Sequence, residues 1–261
     1  MAARALSLRA SDACQRGEWD EAYQLFDEAI EACPSDVQTR RRYSEALWLE
    51  GRIEEALVQM RHVVRLSAQS PESSIRYGEM LLQSNRLDEA DAVCRQAVRR
   101  SPNDADALAL QGDIWRASGQ WDDALEVYHR ALKLRPSFPR VQLAIAHIDF
   151  LRGQSLRCLA TLAALQQDLP RGREPAESIW LEGLALKSLE RYQDAATRFA
   201  RLDQRNPPSA SVLSELAECC WKAGDDQLAQ ETVMRLRSLF PRESAIAVFA
   251  ERIADDETQR R

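Results

Sequence analysis

Gly51-Arg52-Ile53-Glu54-Glu55-Ala56 sets the period of this chain, because the same string returns in altered spelling at a fixed step. Gly17-Glu18-Trp19-Asp20-Glu21-Ala22 lies 34 residues before it, and Asn85-Arg86-Leu87-Asp88-Glu89-Ala90 lies 34 after. Gly119-Gln120-Trp121-Asp122-Asp123-Ala124 follows 34 residues further on. A step of this length holds one helical hairpin, two short helices with their turns. Carried outward, the register gives units 3–36, 37–70, 71–104, 105–138, 139–172, 176–209 and 210–243, with Arg173-Glu174-Pro175 as an insert. Each unit predicts a helix A over unit positions 2–14 and a helix B over 18–31.

The unit positions have separate physical jobs. Position 8 is small throughout (Ala10, Ser44, Gly78, Gly112, Ala146, Gly183, Ala217), which lets helix A approach helix B. Position 20 supplies the matching contact with Ala22, Ala56, Ala90, Ala124, Cys158, Ala195 and Ala229. Position 15 holds Gly17, Gly51, Gly119, Gly153 and Gly224, with Asn85 in the third unit; these residues tolerate the left-handed backbone that closes a helix. Position 32 holds Pro34, Pro102, Pro136, Pro170, Pro207 and Pro241, which stop helix B. The chain has 10 Pro, and the remaining four (Pro71, Pro139, Pro175, Pro208) fall in the joints, so no predicted helix interior is broken.

With these residues in place, the chain resembles a tetratricopeptide repeat (TPR) protein over residues 3–243. Large residues at position 17 (Trp19, Ile53, Leu87, Trp121, Tyr192) and position 24 (Phe26, Met60, Tyr128, Leu162, Phe199) fit that pattern. Unit five departs from it at Asp149, Ser155 and Cys158, though its helices are still expected to form. The resemblance implies an all-α, right-handed superhelical solenoid of about seven hairpins. Since one hairpin cannot bury its apolar faces alone, neighbours must stack and the ends need polar covers. A capping helix is expected over 244–258, started by Ser244, with Ile246, Phe249, Ala250 and Ile253 on one stripe and acidic residues off it.

Composition narrows the function. Lys and Arg number 35 against 41 Asp and Glu, a net charge of −6, which disfavours nucleic acid as a partner. Apolar residues make up 45% of the chain, enough for a core, yet the longest nearly apolar run, Cys158 to Leu165, is too short to span a bilayer. No secretory signal is read at the N-terminus, and the expected compartment is the cytoplasm. The six cysteines lack paired ligand spacing and only three histidines exist, so no metal site is expected. Cys219 and Cys220 read as buried thiols. There is no phosphate-cradling loop, nucleophile elbow or zinc-protease motif. No catalytic residue, no cofactor and no enzyme activity are therefore expected. The carboxylate pairs that begin helix B suit the helix dipole.

In the resembled family the inner face is lined by positions 2, 5, 6, 9, 12 and 13 of helix A, so partner-binding residues are sought there. Units two to four offer Arg41, Arg42, Glu45, Arg76, Glu79, Asp113 and Arg116, with position 9 acidic three times running. Two readings stand: a solvated ladder of surface ion pairs, or a groove for a charged peptide whose carboxylates the arginines grip. Units five and six offer Leu143, His147, Phe150, Leu151, Trp180, Leu181 and Leu184. These are either core of an irregular region or an apolar binding patch anchored on Phe150 and Trp180. The carboxylate clamp of chaperone-binding TPR proteins is not matched. Its positions hold Arg41, Glu45, Arg76, Asp106 and Leu110, and only the first keeps its charge. The expected function is a scaffold holding a protein or peptide ligand, without membrane insertion. Self-association as an assembly or regulatory subunit is the alternative.

Overall fold

The computed structural model describes residues 2–67, 70–170 and 172–242; the expected capping helix over 244–258 lies outside them. Among the described residues there are fourteen α-helices and no strand. The first eight are α1 (Ala2–Arg16), α2 (Trp19–Ala32), α3 (Val37–Leu49), α4 (Ile53–Leu66), α5 (Pro71–Gln83), α6 (Leu87–Arg100), α7 (Ala105–Ala117) and α8 (Trp121–Leu134). The rest are α9 (Pro139–Leu151), α10 (Ser155–Asp168), α11 (Ala176–Ser188), α12 (Tyr192–Arg205), α13 (Ala210–Lys222) and α14 (Asp226–Leu239). They fall into two compact units, residues 1–136 and 137–261. Each odd-numbered helix pairs with the even one after it.

From α2 onward every helix starts and ends one residue before its sequence-predicted bounds. The caps explain the shift. Asp104 accepts from the backbone N–H groups of Asp106 and Ala107 at 2.9 and 3.1 Å, so α7 begins at Ala105. Pro71 and Pro139 stand at the first helical position of α5 and α9, where the missing N–H costs nothing. Between the helices of a hairpin the backbone turns left-handed, as at Gly51 (φ 82°). There Gly51 N–H donates to Trp48 O and Arg52 N–H to Leu47 O, satisfying the last carbonyls of α3. Two hairpins make this turn without glycine, at Asn85 (φ 58°) and Glu190 (φ 60°).

Packing inside each hairpin follows the small positions. In the first unit Ala22, Ala56, Ala90 and Ala124 are all fully buried. Ser44 fills its small site and also donates its hydroxyl to Ala56 O at 2.8 Å, so its polarity is satisfied in the core. Gly112 lies against the ring of fully buried Tyr128, and in the second unit Gly183 lies against Phe199. In these two hairpins glycine at position 8 thus meets an aromatic at position 24, a size match between facing helices. The irregular pair α9 and α10 forms as expected. Cys158 packs as a fully buried hydrophobe, and Ser155 Oγ lies 2.5 Å from Ser188 Oγ.

Candidate functional site

In the first unit α3, α5 and the start of α7 frame a groove of about 310 Å³. Arg41 and Glu45 reach it from α3, Glu72, Ile75, Arg76 and Glu79 from α5, and Asp104 and Asp106 from the α7 cap. Fully buried Met60 of α4 also lines it. Arg41 Nη1 lies 3.1 Å from Glu72 Oε1, and Arg76 Nη1 lies 3.6 Å from Glu79 Oε2. Asp106 receives both terminal nitrogens of Arg135, at 2.9 and 2.6 Å. The walls are therefore charged, and the arginines are ion-paired with the protein's own carboxylates.

The polar residues singled out from sequence do not all converge. Arg41, Glu45, Arg76 and Glu79 share the groove. Arg42 points elsewhere: its Nη1 donates to Ser7 Oγ at 3.1 Å, and it lines a recess of about 570 Å³ with Arg4 and Asp36. Adjacent residues on a helix do not face the same way. Asp113 accepts the hydroxyl of Tyr128 at 2.6 Å, so this carboxylate serves helix packing. Burial, reinforced by Asp113, drives the Tyr128 phenol well above its ordinary value, and the half-buried guanidinium of Arg116 opposes the shift. Neither Asp113 nor Arg116 lines the groove. Glu72 and Asp106 were not among the candidate partner-binding residues, yet both sit at position 2, one of the inner-face positions, so a signal existed.

In the second unit the apolar residues divide. Leu181 is core, 4% exposed, in a cluster with Ala146, Cys158, Leu162, Leu165 and Ala185. Leu143 and Phe150 pack half-buried on that cluster. Trp180 and Leu184 pack half-buried on a different one around Phe199, with Trp180 meeting the Phe199 ring edge-on at 5.3 Å. His147 is half-buried and engaged, while Leu151 is 49% exposed. Inner-face positions here also carry a network unread in the sequence: Lys187 Nζ lies 2.7 Å from both Glu215 and Glu218, and Lys222 lies 3.0 Å from Glu218. Burial raises Glu218, but hydrogen bonds from Lys187 and Lys222 outweigh it and hold the carboxyl below its ordinary value.

Among the described residues no cluster of three or more His, Cys, Asp or Glu could hold a metal, and no helix is long and apolar enough to cross a membrane. Burial pushes the thiols of Cys94, Cys158 and Cys219 up to about 12 and that of Cys220 to about 11, so they behave as packing groups.

Repeated helical hairpins with small inter-helix contacts and a groove on the first helices define a helical-repeat protein. The chain belongs to the tetratricopeptide repeat family, one profile of which matches residues 47–114 and 186–250. Related profiles of the same repeat match residues 7–71 and 112–150. No curated protein sequence matches the chain. Among solved structures it is similar to PilF of Pseudomonas aeruginosa, at 15% identity over 83% of this chain and 97% of that one, with a TM-score of 0.70. It is also similar to a tetratricopeptide repeat protein of Parabacteroides merdae (12% identity, 94% and 96% coverage, TM-score 0.69). A third is YrrB, described as a TPR protein with an unusual peptide-binding site (14% identity, 74% and 97% coverage, TM-score 0.60). At these identities the likeness is one of fold.

Proposed function

We propose that this chain is a non-catalytic adaptor that holds a peptide or helix of a partner protein in the groove framed by α3 and α5. The observation that carries the reading is the groove itself, where four polar inner-face residues, Arg41, Glu45, Arg76 and Glu79, converge beside buried Met60 and Ile75. Such a mixture of apolar floor and polar walls suits a bound side chain. YrrB, alike in fold, is described as having a peptide-binding site, which supports the same use of the fold here. A cytoplasmic setting belongs to this reading and is supported by four thiols used as core hydrophobes. Affinity capture tests it. Partners held by the wild type and lost by Glu45→Ala/Arg76→Ala support the groove. Partners retained equally by both refute it.

Self-association through the second unit is a second reading. It is favoured by two exposed leucines of that unit, Leu151 and Leu156, 49% and 70% exposed. Light scattering across a concentration series tests it, and a constant monomer mass rules it out.

A further inference from the structure

Resting on the groove reading, we infer that the guest is basic, presenting a Lys or Arg side chain between α3 and α5. One of the two sequence readings was the reverse, arginines gripping a carboxylate. In the structure both groove arginines already face a carboxylate, Arg41 hydrogen-bonded to Glu72 at 3.1 Å and Arg76 ion-paired with Glu79 at 3.6 Å. An incoming carboxylate would have to share these arginines with Glu72 and Glu79 and would meet the rest of the acidic wall. Glu45, Glu72, Glu79, Asp104 and Asp106 line the groove against Arg41 and Arg76, and Arg135 pairs with Asp106, so carboxylates still outnumber guanidinium groups and the field is negative.

The carboxylates differ in how far they are committed. Asp104 caps α7 and Asp106 holds Arg135. Glu45 is exposed and makes no ion pair among the described residues, and it stands on the helix next to Glu79. Buried Met60 and Ile75 line the same space, giving an alkyl stem an apolar surface while its charged head reaches the carboxylates. A metal cation is a poorer occupant, since no described cluster could hold one. Charge complementarity therefore selects a segment that carries basic residues among apolar ones.

The test uses the full chain and two fluorescein-labelled twelve-residue peptides, one alternating Leu and Arg, the other alternating Leu and Glu. Binding is followed by fluorescence anisotropy at rising salt. The inference predicts that the Arg peptide binds about tenfold or more tighter, with affinity falling as salt screens the charges. Glu45→Gln/Glu79→Gln should weaken it by about tenfold. The same charge change on α2, Glu28→Gln/Glu31→Gln, should weaken it less than about twofold. Circular dichroism verifies folding, and exposed Glu45→Gln alone keeps the test valid should the double variant unfold. Preference for the Glu peptide, lost in Arg41→Ala/Arg76→Ala, overturns the basic guest but keeps the groove. No binding of the Arg peptide, or equal loss in both glutamine pairs, overturns the inference. If the groove variants also keep every captured partner, the groove reading falls with it.

Discussion

Gly112→Ala puts the packing of the hairpins under direct load. A Cβ at position 112 would stand 2.6 and 2.8 Å from Cδ1 and Cζ of Tyr128, and closer still to Cε1. Carbon atoms rest at about 3.5–4.0 Å, so the ring or the helix must retreat by about 1 Å. Tyr128 has little room to do so, being fully buried and tied through its hydroxyl to Asp113 at 2.6 Å. Overpacking of this kind costs about 1–3 kcal/mol, and three ring atoms place this site at the upper end. The better helix propensity of alanine returns about 1 kcal/mol, leaving a net loss of about 2 kcal/mol. Gly78→Ala is the matched control. Its nearest contact is the tip of Leu110, Cδ2 at 2.6 Å with Cγ already at 3.7 Å, and a flexible tip can yield. That variant should stay within about 1 kcal/mol of wild type. Urea unfolding followed by far-ultraviolet circular dichroism measures both. Adding Tyr128→Leu to Gly112→Ala should cost less than the two single losses together, a coupling of about 1 kcal/mol. Wild-type stability in Gly112→Ala, or an equal loss in both alanine variants, would refute the size match.

Further outcomes follow from other sites. Glu190→Gly should raise stability by about 1 kcal/mol in the same urea assay, since Glu190 holds φ 60° where glycine has no Cβ penalty. Asp113→Ala leaves the buried Tyr128 hydroxyl without its acceptor and should cost about 1–3 kcal/mol; Tyr128→Phe, which removes the donor instead, should cost less. A thiol reagent at pH 8 should label Cys14 and Cys33, which are half-buried, ahead of Cys94, Cys158, Cys219 and Cys220, which should react only after unfolding. Because Glu218 is held below its ordinary value in the folded chain, its contribution is present above the ordinary carboxylate range and lost as pH falls through the folded value. Acid titration of stability in wild type and Lys187→Met measures this, and the variant should show the weaker pH dependence.

What could be read from the sequence was whatever a single residue imposes on its own backbone. The left-handed turn at Gly51 and the helix starts at Pro71 and Pro139 are local constraints, so from α2 onward the helix bounds emerged to within one residue. The left-handed Glu190 escaped notice because its residue type does not advertise that conformation. The groove was only partly visible, since membership depends on which neighbours a side chain meets. Arg41 and Arg42 are adjacent in sequence but turn to different recesses. Asp113 continues an acidic row yet serves Tyr128, a contact with a residue fifteen positions later on the partner helix. Leu181 and Trp180, neighbours again, divide into core and half-exposed positions for the same reason.

Hydrogen–deuterium exchange of the full chain with and without a captured partner addresses the central claim, that the α3–α5 groove is where the guest sits. The account predicts slowed exchange over residues 41–49, 71–83 and 104–108, the segments that frame the groove. Protection confined to other helices, with these three segments unchanged, would contradict it.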